Sequence, residues 1–324
     1  MRIKIIIICA ALALVLSGCR DNTAAQLPSD NIPKVDSTDN SLSEEKSEFT
    51  FTDQFGKTVT VCFPKKVAAF SASLAEVWQL AGGEISFVTS DAFDDEKISL
   101  PNSAVNIGDM NSPSAELLID GGADLVLLSS AHGGQKLEEM LDQVGIPCAK
   151  FDIENFSDYL DLLKICTDIT GRVDLYEKNG LSLERNIKSI IEKRSSEERK
   201  TVLYLRAFSS GIKVKNSDSM TGKMLADMNC ENIADLIPSL LEELSVEKII
   251  ELDPDFIFIT IMGSDEEKAR DSYQKMLAEN PAWNGLTAVK NDSCIFLPTK
   301  YFHNKPNAEW DKAYEMLAEI LNDE

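Results

Sequence analysis

The chain has 324 residues, a length that suits two ordinary lobes better than one small core. Hydrophobic residues at 44%, charged residues at 27% and only 16 Gly and 11 Pro are globular values, so wholesale disorder, a collagen-like rod and a polytopic membrane protein are excluded. A formal net charge of −22, with no Lys/Arg-rich run set among aromatics, repels a phosphate backbone and excludes nucleic acid as a partner.

At the N-terminus, Arg2 and Lys4 precede an apolar run from Ile5 to Leu16 and then small residues, the order of an export signal over residues 1–18. The run is short of the roughly 20 residues that a membrane span needs. It ends in Leu16-Ser17-Gly18-Cys19, which resembles a bacterial lipobox. That resemblance implies cleavage before Cys19, acylation of its thiol, and a protein held by acyl chains on the outer face of the cell membrane. A plain secretory signal with an incidental cysteine is the alternative. Residues 19–48 are polar and acidic, carry no aromatic and include Pro28 and Pro33, the composition of a disordered tether. Beyond Cys9 and Cys19, the cysteines at 62, 148, 166, 230 and 294 are scattered without a CxxC, so neither a disulfide framework nor a zinc site is indicated. Cys148, Cys166 and Cys294 sit in apolar runs and read as core thiols.

From Phe49 to Phe63 apolar and polar residues alternate around Asp53-Gln54-Phe55-Gly56, which predicts a hairpin with Gly56 in its turn. Short apolar strands and helical stretches then alternate. Strands are predicted at 67–71, 85–90, 104–107, 125–129 and 148–151, with helices at 74–80, 114–120, 135–144 and 157–170. After a break the order returns, with strands at 201–205, 256–261 and 294–297 and helices at 221–228, 245–251, 266–279 and 306–321. Such alternation predicts an α/β protein of two Rossmann-like lobes, residues 49–171 and 201–324, each over a mainly parallel sheet. Between them, Tyr176, Leu183, Ile187, Ile190 and Ile191 fall at helical spacing, so residues 172–200 are predicted to form one long connecting helix. A stiff connector of this kind permits rocking and opposes a wide hinge swing. The stretch from Ser112 to Leu128 is echoed from Leu244 to Ile259, with Glu116 and Glu247 early in equivalent helices, where the helix dipole by itself favours an acid.

Several stretches carry a family resemblance. Asp53-Gln-Phe-Gly-Lys-Thr-Val-Thr-Val, Val67-Ala-Ala-Phe-Ser-Ala-Ser-Leu-Ala-Glu, Ser112-Pro-Ser-Ala-Glu, Gly145-Ile-Pro and Ser245-Val-Glu-Lys-Ile-Ile-Glu-Leu-Asp-Pro-Asp resemble the extracytoplasmic solute-binding proteins of ABC importers for metal chelates. The resemblance runs from Phe49 to the C-terminus. It implies a class III periplasmic binding protein: a monomer with two lobes, a backbone helix and a shallow cleft, and with iron-siderophore, haem or cobalamin as cargo. It also implies docking on the transmembrane permease through one exposed glutamate per lobe, for which Glu76 and Glu247 match.

Ligands of parallel α/β sheets bind beyond the carboxyl ends of the strands. In the first lobe those ends present Ser71, Ser73, Asp91, Asp109, Met110 and His132; in the second they present Arg206, Met220, Tyr301, His303 and Lys305. Carboxylates and hydroxyls dominate the first set and cations the second, so an anionic face of a chelate would lie against the second lobe with Arg206 as a bidentate donor. His303, with Tyr301, Met110 or Met220, would supply axial ligands to a haem iron, or else would simply pack the end of the lobe. Two histidines in all, without HExxH or an EF-hand loop, argue against a bare metal ion, and no resident cofactor is expected. A lipid-anchored hydrolase is the rival class. No GxSxG, Walker loop or GxGxxG follows a strand, and Ser129 or Ser130 beside His132 is its one conceivable nucleophile and base. A lipoprotein adhesin is a third.

Overall fold

The computed structural model describes residues 48–322 apart from His132 and Ser264; the export signal, Cys19 and the tether as far as residue 47 lie outside the described residues. Strand β1 (Phe49–Thr52) pairs antiparallel with β2 (Thr58–Val61). Asp53 closes the turn by accepting the backbone N–H groups of Phe55 and Lys57 at 3.0 and 2.8 Å. Gly56 sits there at φ +85°, a conformation that L side chains rarely adopt.

The first lobe then runs β3 (Val67–Ala69), α1 (Ala72–Leu80), β4 (Ile85–Val88), β5 (Val105–Asn106), α2 (Ala115–Gly121), β6 (Leu125–Leu128), α3 (Gly134–Asp142), β7 (Cys148–Lys150) and α4 (Phe156–Thr170). Its sheet has the order β5-β4-β3-β6-β7, and all four pairings are parallel. Every residue of β3 and β6 is buried, because helices cover both faces of a parallel sheet. The helix starts are set by side chains. Ser114 Oγ accepts the Leu117 N–H on α2, and Asn155 forms a reciprocal capping box with Asp158 on α4.

The connector comprises α5 (Val173–Tyr176), a π-type segment over Glu177–Leu181 and α6 (Ser182–Ser195), and the junction residues Glu177 and Ser182 both keep right-handed helical dihedrals. It is therefore one helical path of roughly 35 Å. It ends five residues before the predicted Lys200, where the next strand begins. Gly180 lies in the π segment where a Cβ would stand 2.8 Å from Leu160 Cδ1, so its bare backbone lets α4 approach. The Tyr159 hydroxyl donates to the Asn179 carbonyl at 2.7 Å and Asn179 Nδ2 to the Leu80 carbonyl at 2.8 Å, fastening this end of the connector to the first lobe.

The second lobe runs β8 (Lys200–Phe208), β9 (Gly211–Lys215), α7 (Met220–Asp227), β10 (Cys230–Asn232), α8 (Ile233–Leu236), α9 (Val246–Leu252), β11 (Phe256–Ile261), α10 (Glu266–Glu279), α11 (Thr287–Lys290), β12 (Cys294–Phe296), α12 (Thr299–Phe302) and α13 (Trp310–Asn322). The order β10-β8-β11-β12 is parallel. One edge of β8 is divided: β10 takes Lys200 to Val202, and β9 pairs antiparallel with Tyr204 to Phe208. The helix expected from Pro306 instead opens with a 3-10 turn at Asn307–Glu309 and becomes α-helical at Trp310, because buried Asn307 has a left-handed φ of +50°.

Two cores result. One is continuous from the first lobe through the connector and α13 to Val202, Tyr204, Phe256 and Phe258 on one face of the second sheet. The other packs Leu203, Leu205, Ile257 and Ile259 of the opposite face on Tyr273 and Trp283. Arg206 stands two residues beyond Tyr204, so it continues the face that looks toward the first lobe. Cys148, Cys166 and Cys230 are buried free thiols and Cys294 is half-buried, so Cys230 rather than Cys294 is the third fully buried one. Among the described residues no helix is long and apolar enough to cross a membrane.

Candidate functional site

The carboxyl ends of the two sheets meet at a pair of joined recesses. One, of about 700 Å³, is lined from the first lobe by Ser71, Ser73, Glu76, Asp91, the Asp94–Lys97 turn and Met110, and from the second by Lys300, His303, Asn304 and Lys305. The other, of about 550 Å³, is lined by Glu154 together with Arg206, Lys215, Asn216, Asp218, Ser219, Met220 and Met262. Met110, His303 and Lys305 border both.

Several polar side chains of the first-lobe wall hold backbone. Ser71 Oγ caps α1 by accepting the Leu74 N–H at 3.2 Å, and Asp91 Oδ2 accepts the Ala72 N–H at 2.7 Å. Asp109 accepts the N–H of Asn111 at 2.8 Å and both the N–H and the hydroxyl of Ser112 at 3.2 Å, and these bonds hold its carboxyl below the usual carboxylate range. It borders neither recess, and these bonds close a turn. Met110 is half-buried and its carbonyl accepts the Gly133 N–H at 3.1 Å. His132 lies outside the described residues.

The second-lobe wall differs. His303 follows α12, whose end is pinned by the buried Thr221 hydroxyl donating to the Phe302 carbonyl at 2.7 Å. Burial first, then the positive charges of Arg206 and Lys305, push the His303 imidazole below its ordinary pKa, so the ring is neutral around pH 7. Arg206 Nε is buried without a hydrogen-bond partner among the described residues. Lys215 Nζ has none among the described residues either, and burial with Arg206 and Lys213 nearby lowers its pKa. Lys305 Nζ reaches across to Glu154 Oε1 at 3.4 Å. Met220, buried at the start of α7, closes the floor. Tyr301 borders neither recess: it packs edge-on against Phe302 with Lys300 Nζ 5.0 Å from its ring.

Glu76 is corrected. An exposed docking acid was expected, but the residue is only 8% exposed and its carboxylate accepts Asn307 Nδ2 at 2.6 Å. Asn307 is fully buried and also donates to the Ser73 carbonyl at 3.3 Å, so this cluster ties α1 to the chain just before α13. Burial pushes the Glu76 carboxyl up to about 7, against the opposing influences of Lys97 and Asn307. Glu247 is exposed in the first turn of α9, and the topologically equivalent first-lobe position is held by Glu116, exposed in the first turn of α2. The hydroxyls of Ser129 and Ser130 both donate to Asp152, the first at 2.7 Å.

Sequence reasoning passed over Lys215, Glu154 and Lys97. Lys215 sits on β9, and Ser209-Ser210-Gly211 followed by Ile-Lys-Val-Lys is a turn signal with alternation that a two-residue hairpin reading detects.

A two-lobed α/β protein with a helical connector and a cleft at the strand ends is the architecture of a binding protein. The family described as periplasmic binding protein matches residues 67–301, and the chain belongs to it. Among curated proteins, the iron-uptake system-binding protein of Bacillus subtilis is 23% identical over 270 residues, covering 80% of this chain and 83% of that protein. Among solved structures, S. aureus IsdE complexed with heme superposes with a TM-score of 0.64 at 18% identity, covering 80% of this chain and 99% of that one. Staphylococcus aureus SirA complexed with staphyloferrin B gives 0.65 at 17% identity, with 85% and 98% covered. The siderophore-binding protein BauB, bound to ferric iron and two molecules of acinetobactin, gives 0.67 at 16% identity, with the same coverage.

Proposed function

We propose that this protein is the lipid-anchored, extracytoplasmic substrate-binding component of an ABC importer, a monomer that takes a ferric siderophore into the joined recesses and presents it to the permease. The observation that carries this reading is the convergence of both sheets' carboxyl ends on Met110, His303 and Lys305, with Arg206 Nε beside them lacking a partner among the described residues. Relatives named for iron uptake and for siderophore binding support it. So does the connector, which packs along α13 and suits a cleft that changes little on loading. Acylation at Cys19 rests on the lipobox resemblance alone. The reading is of a carrier rather than a hydrolase, and cobalamin remains a cargo of the same class.

Haem is the second reading, favoured by His303 and Met110 bordering both recesses. Mass spectrometry and the visible spectrum of material purified from the native host test the two. A bound siderophore without a Soret band supports the first reading; a Soret band lost in His303→Ala supports the second.

For docking, the exposed pair Glu116 and Glu247 replaces the pair with Glu76. Each stands in the first turn of the helix that leads into a central strand, α2 into β6 and α9 into β11, so the two acids occupy equivalent places in the lobes. Glu116→Arg with Glu247→Arg is expected to reduce cellular uptake to background while chelate affinity in solution stays within about twofold; unchanged uptake refutes the pairing.

A further inference from the structure

The chain is strongly acidic, and most of its lysines near the surface find a carboxylate: Lys57 meets Glu138 and Asp142, Lys164 meets Asp168, Lys223 meets Asp227, and Lys300 and Lys312 both meet Glu309. The 550 Å³ recess is an exception. Arg206, Lys215, His303 and Lys305 converge on it, while among the described residues the acids that line it are Glu154, 3.4 Å from Lys305, and Asp218, which is held by Asn216 Nδ2 at 2.7 Å. Arg206 and Lys215 are brought together by the β8–β9 hairpin. In antiparallel register Tyr204 lies opposite Lys215 and Arg206 opposite Lys213, so all four side chains share one face and the three cations are neighbours. Nothing in folding rewards this arrangement. Like charges on neighbouring positions repel, and a buried guanidinium nitrogen without an acceptor loses its hydration. A protein with acids to spare elsewhere leaves Arg206 and Lys215 without an ion-pair partner among the described residues, where ligand enters.

We propose that this second-lobe cation cluster selects a ferric chelate that keeps net negative charge after iron is bound, and that Arg206 and Lys215 are its specificity-determining residues. The inference rests on the metal-chelate reading and narrows it. Three hydroxamates neutralise ferric iron and leave nothing for the cluster to recognise. Citrate-type carboxylates and tris-catecholates leave an anion, and a free carboxylate also matches the planar guanidinium fork of Arg206. Glu154 occupies Lys305 in the structure as such a carboxylate would.

The test is equilibrium binding of the purified protein to ferric citrate, to a ferric tris-catecholate and to ferrioxamine B, each at low and high ionic strength. One or both anionic probes are expected to bind at least tenfold more tightly than ferrioxamine B and to weaken as salt rises. Which of the two binds better separates a carboxylate from a catecholate source. Lys215→Gln and, separately, Arg206→Lys are expected to weaken the anionic probe about 10- to 100-fold, the loss of one charge-assisted contact. Lys215 is half-buried on an edge strand, so its variant keeps the test valid if Arg206 variants fold poorly. Ferrioxamine B bound as tightly as the anions, or anion affinity unmoved by Lys215→Gln, overturns the inference and leaves the metal-chelate reading standing. If none of the three probes nor haemin binds, the metal-chelate reading itself falls and takes the inference with it.

Discussion

The two walls of the cleft are built from opposite relations between side chain and backbone. On the first-lobe wall, Ser71 and Asp91 hold the start of α1, and Ser73 and Glu76 hold Asn307. On the second-lobe wall, Arg206 and Lys215 hold nothing among the described residues, and the His303 ring is placed by α12 rather than by a bond of its own. The strand-end rule treats both walls alike, since it reports only where side chains emerge. The difference shows which of them remain available once the fold is satisfied. Substitutions at Ser71, Asp91 and Glu76 therefore act on stability, and those at Arg206 and Lys215 act on ligand.

The largest effect that would break this contrast belongs to Glu76. Its carboxyl titrates at about 7 in the folded protein and near 4.5 when unfolded, so the folded state binds the proton more tightly. The contribution of this one group to stability is then greatest below about pH 4.5 and falls as pH rises toward 7, with the decline complete just above it; its full cost is about 3 kcal/mol. Lys97, Asp95 and Glu309 face the same group, and Asn307 donates to it. Glu76→Gln keeps the shape and an acceptor for Asn307 while removing the charge. Urea unfolding should show the variant more stable than the parent by about 1–3 kcal/mol at pH 8, with little difference at pH 4.5. A variant less stable at pH 8 would mean that the ionised Glu76 is a favourable partner there, contrary to its burial. Next in size is Asp91→Ala, which removes the acceptor of the Ala72 N–H at the start of α1. It should cost about 1 kcal/mol in the same assay. No loss would show that Ser71 caps the helix sufficiently by itself.

Much of the scaffold was legible because its periods are local. Strand β11 and helix α10 fall where apolar runs and helical spacing placed them, and Gly56 marks its turn. The site was less legible, since the partners of each candidate come from far along the chain. The Ser-Leu-Ala-Glu stretch reads as a solvated first turn, and only the approach of Asn307, 231 residues on, buries Glu76. The repeated pattern around Glu116 and Glu247 held the better clue to an exposed pair, because equivalent positions in duplicated units keep equivalent exposure. Tyr301 was placed with His303 by adjacency, but α12 rotates neighbours onto different faces: Phe302 is buried and Tyr301 is half-buried against the core. Arg206 could be read from its strand end, whereas Lys215 requires the antiparallel turn that doubles the chain back beside it.

The smallest predicted effect has the sharpest sign. Lys215 stands beside Arg206 and Lys213 with no acid bound to its ammonium among the described residues. Its replacement by Gln removes repulsion and leaves an amide that water or Asn216 can satisfy at the half-buried rim. The ligand-free protein should become slightly more stable, by about 0.2–1 kcal/mol, with the gain shrinking as salt screens the cluster. The direction is opposite to that of Asp91→Ala, although both residues line the same cleft. The gain should also accompany weaker binding of the anionic probe, because the charge that disfavours the empty protein is the one the ligand uses. A variant that loses both stability and affinity would make Lys215 a structural residue like those on the facing wall, and the contrast between the walls would no longer hold.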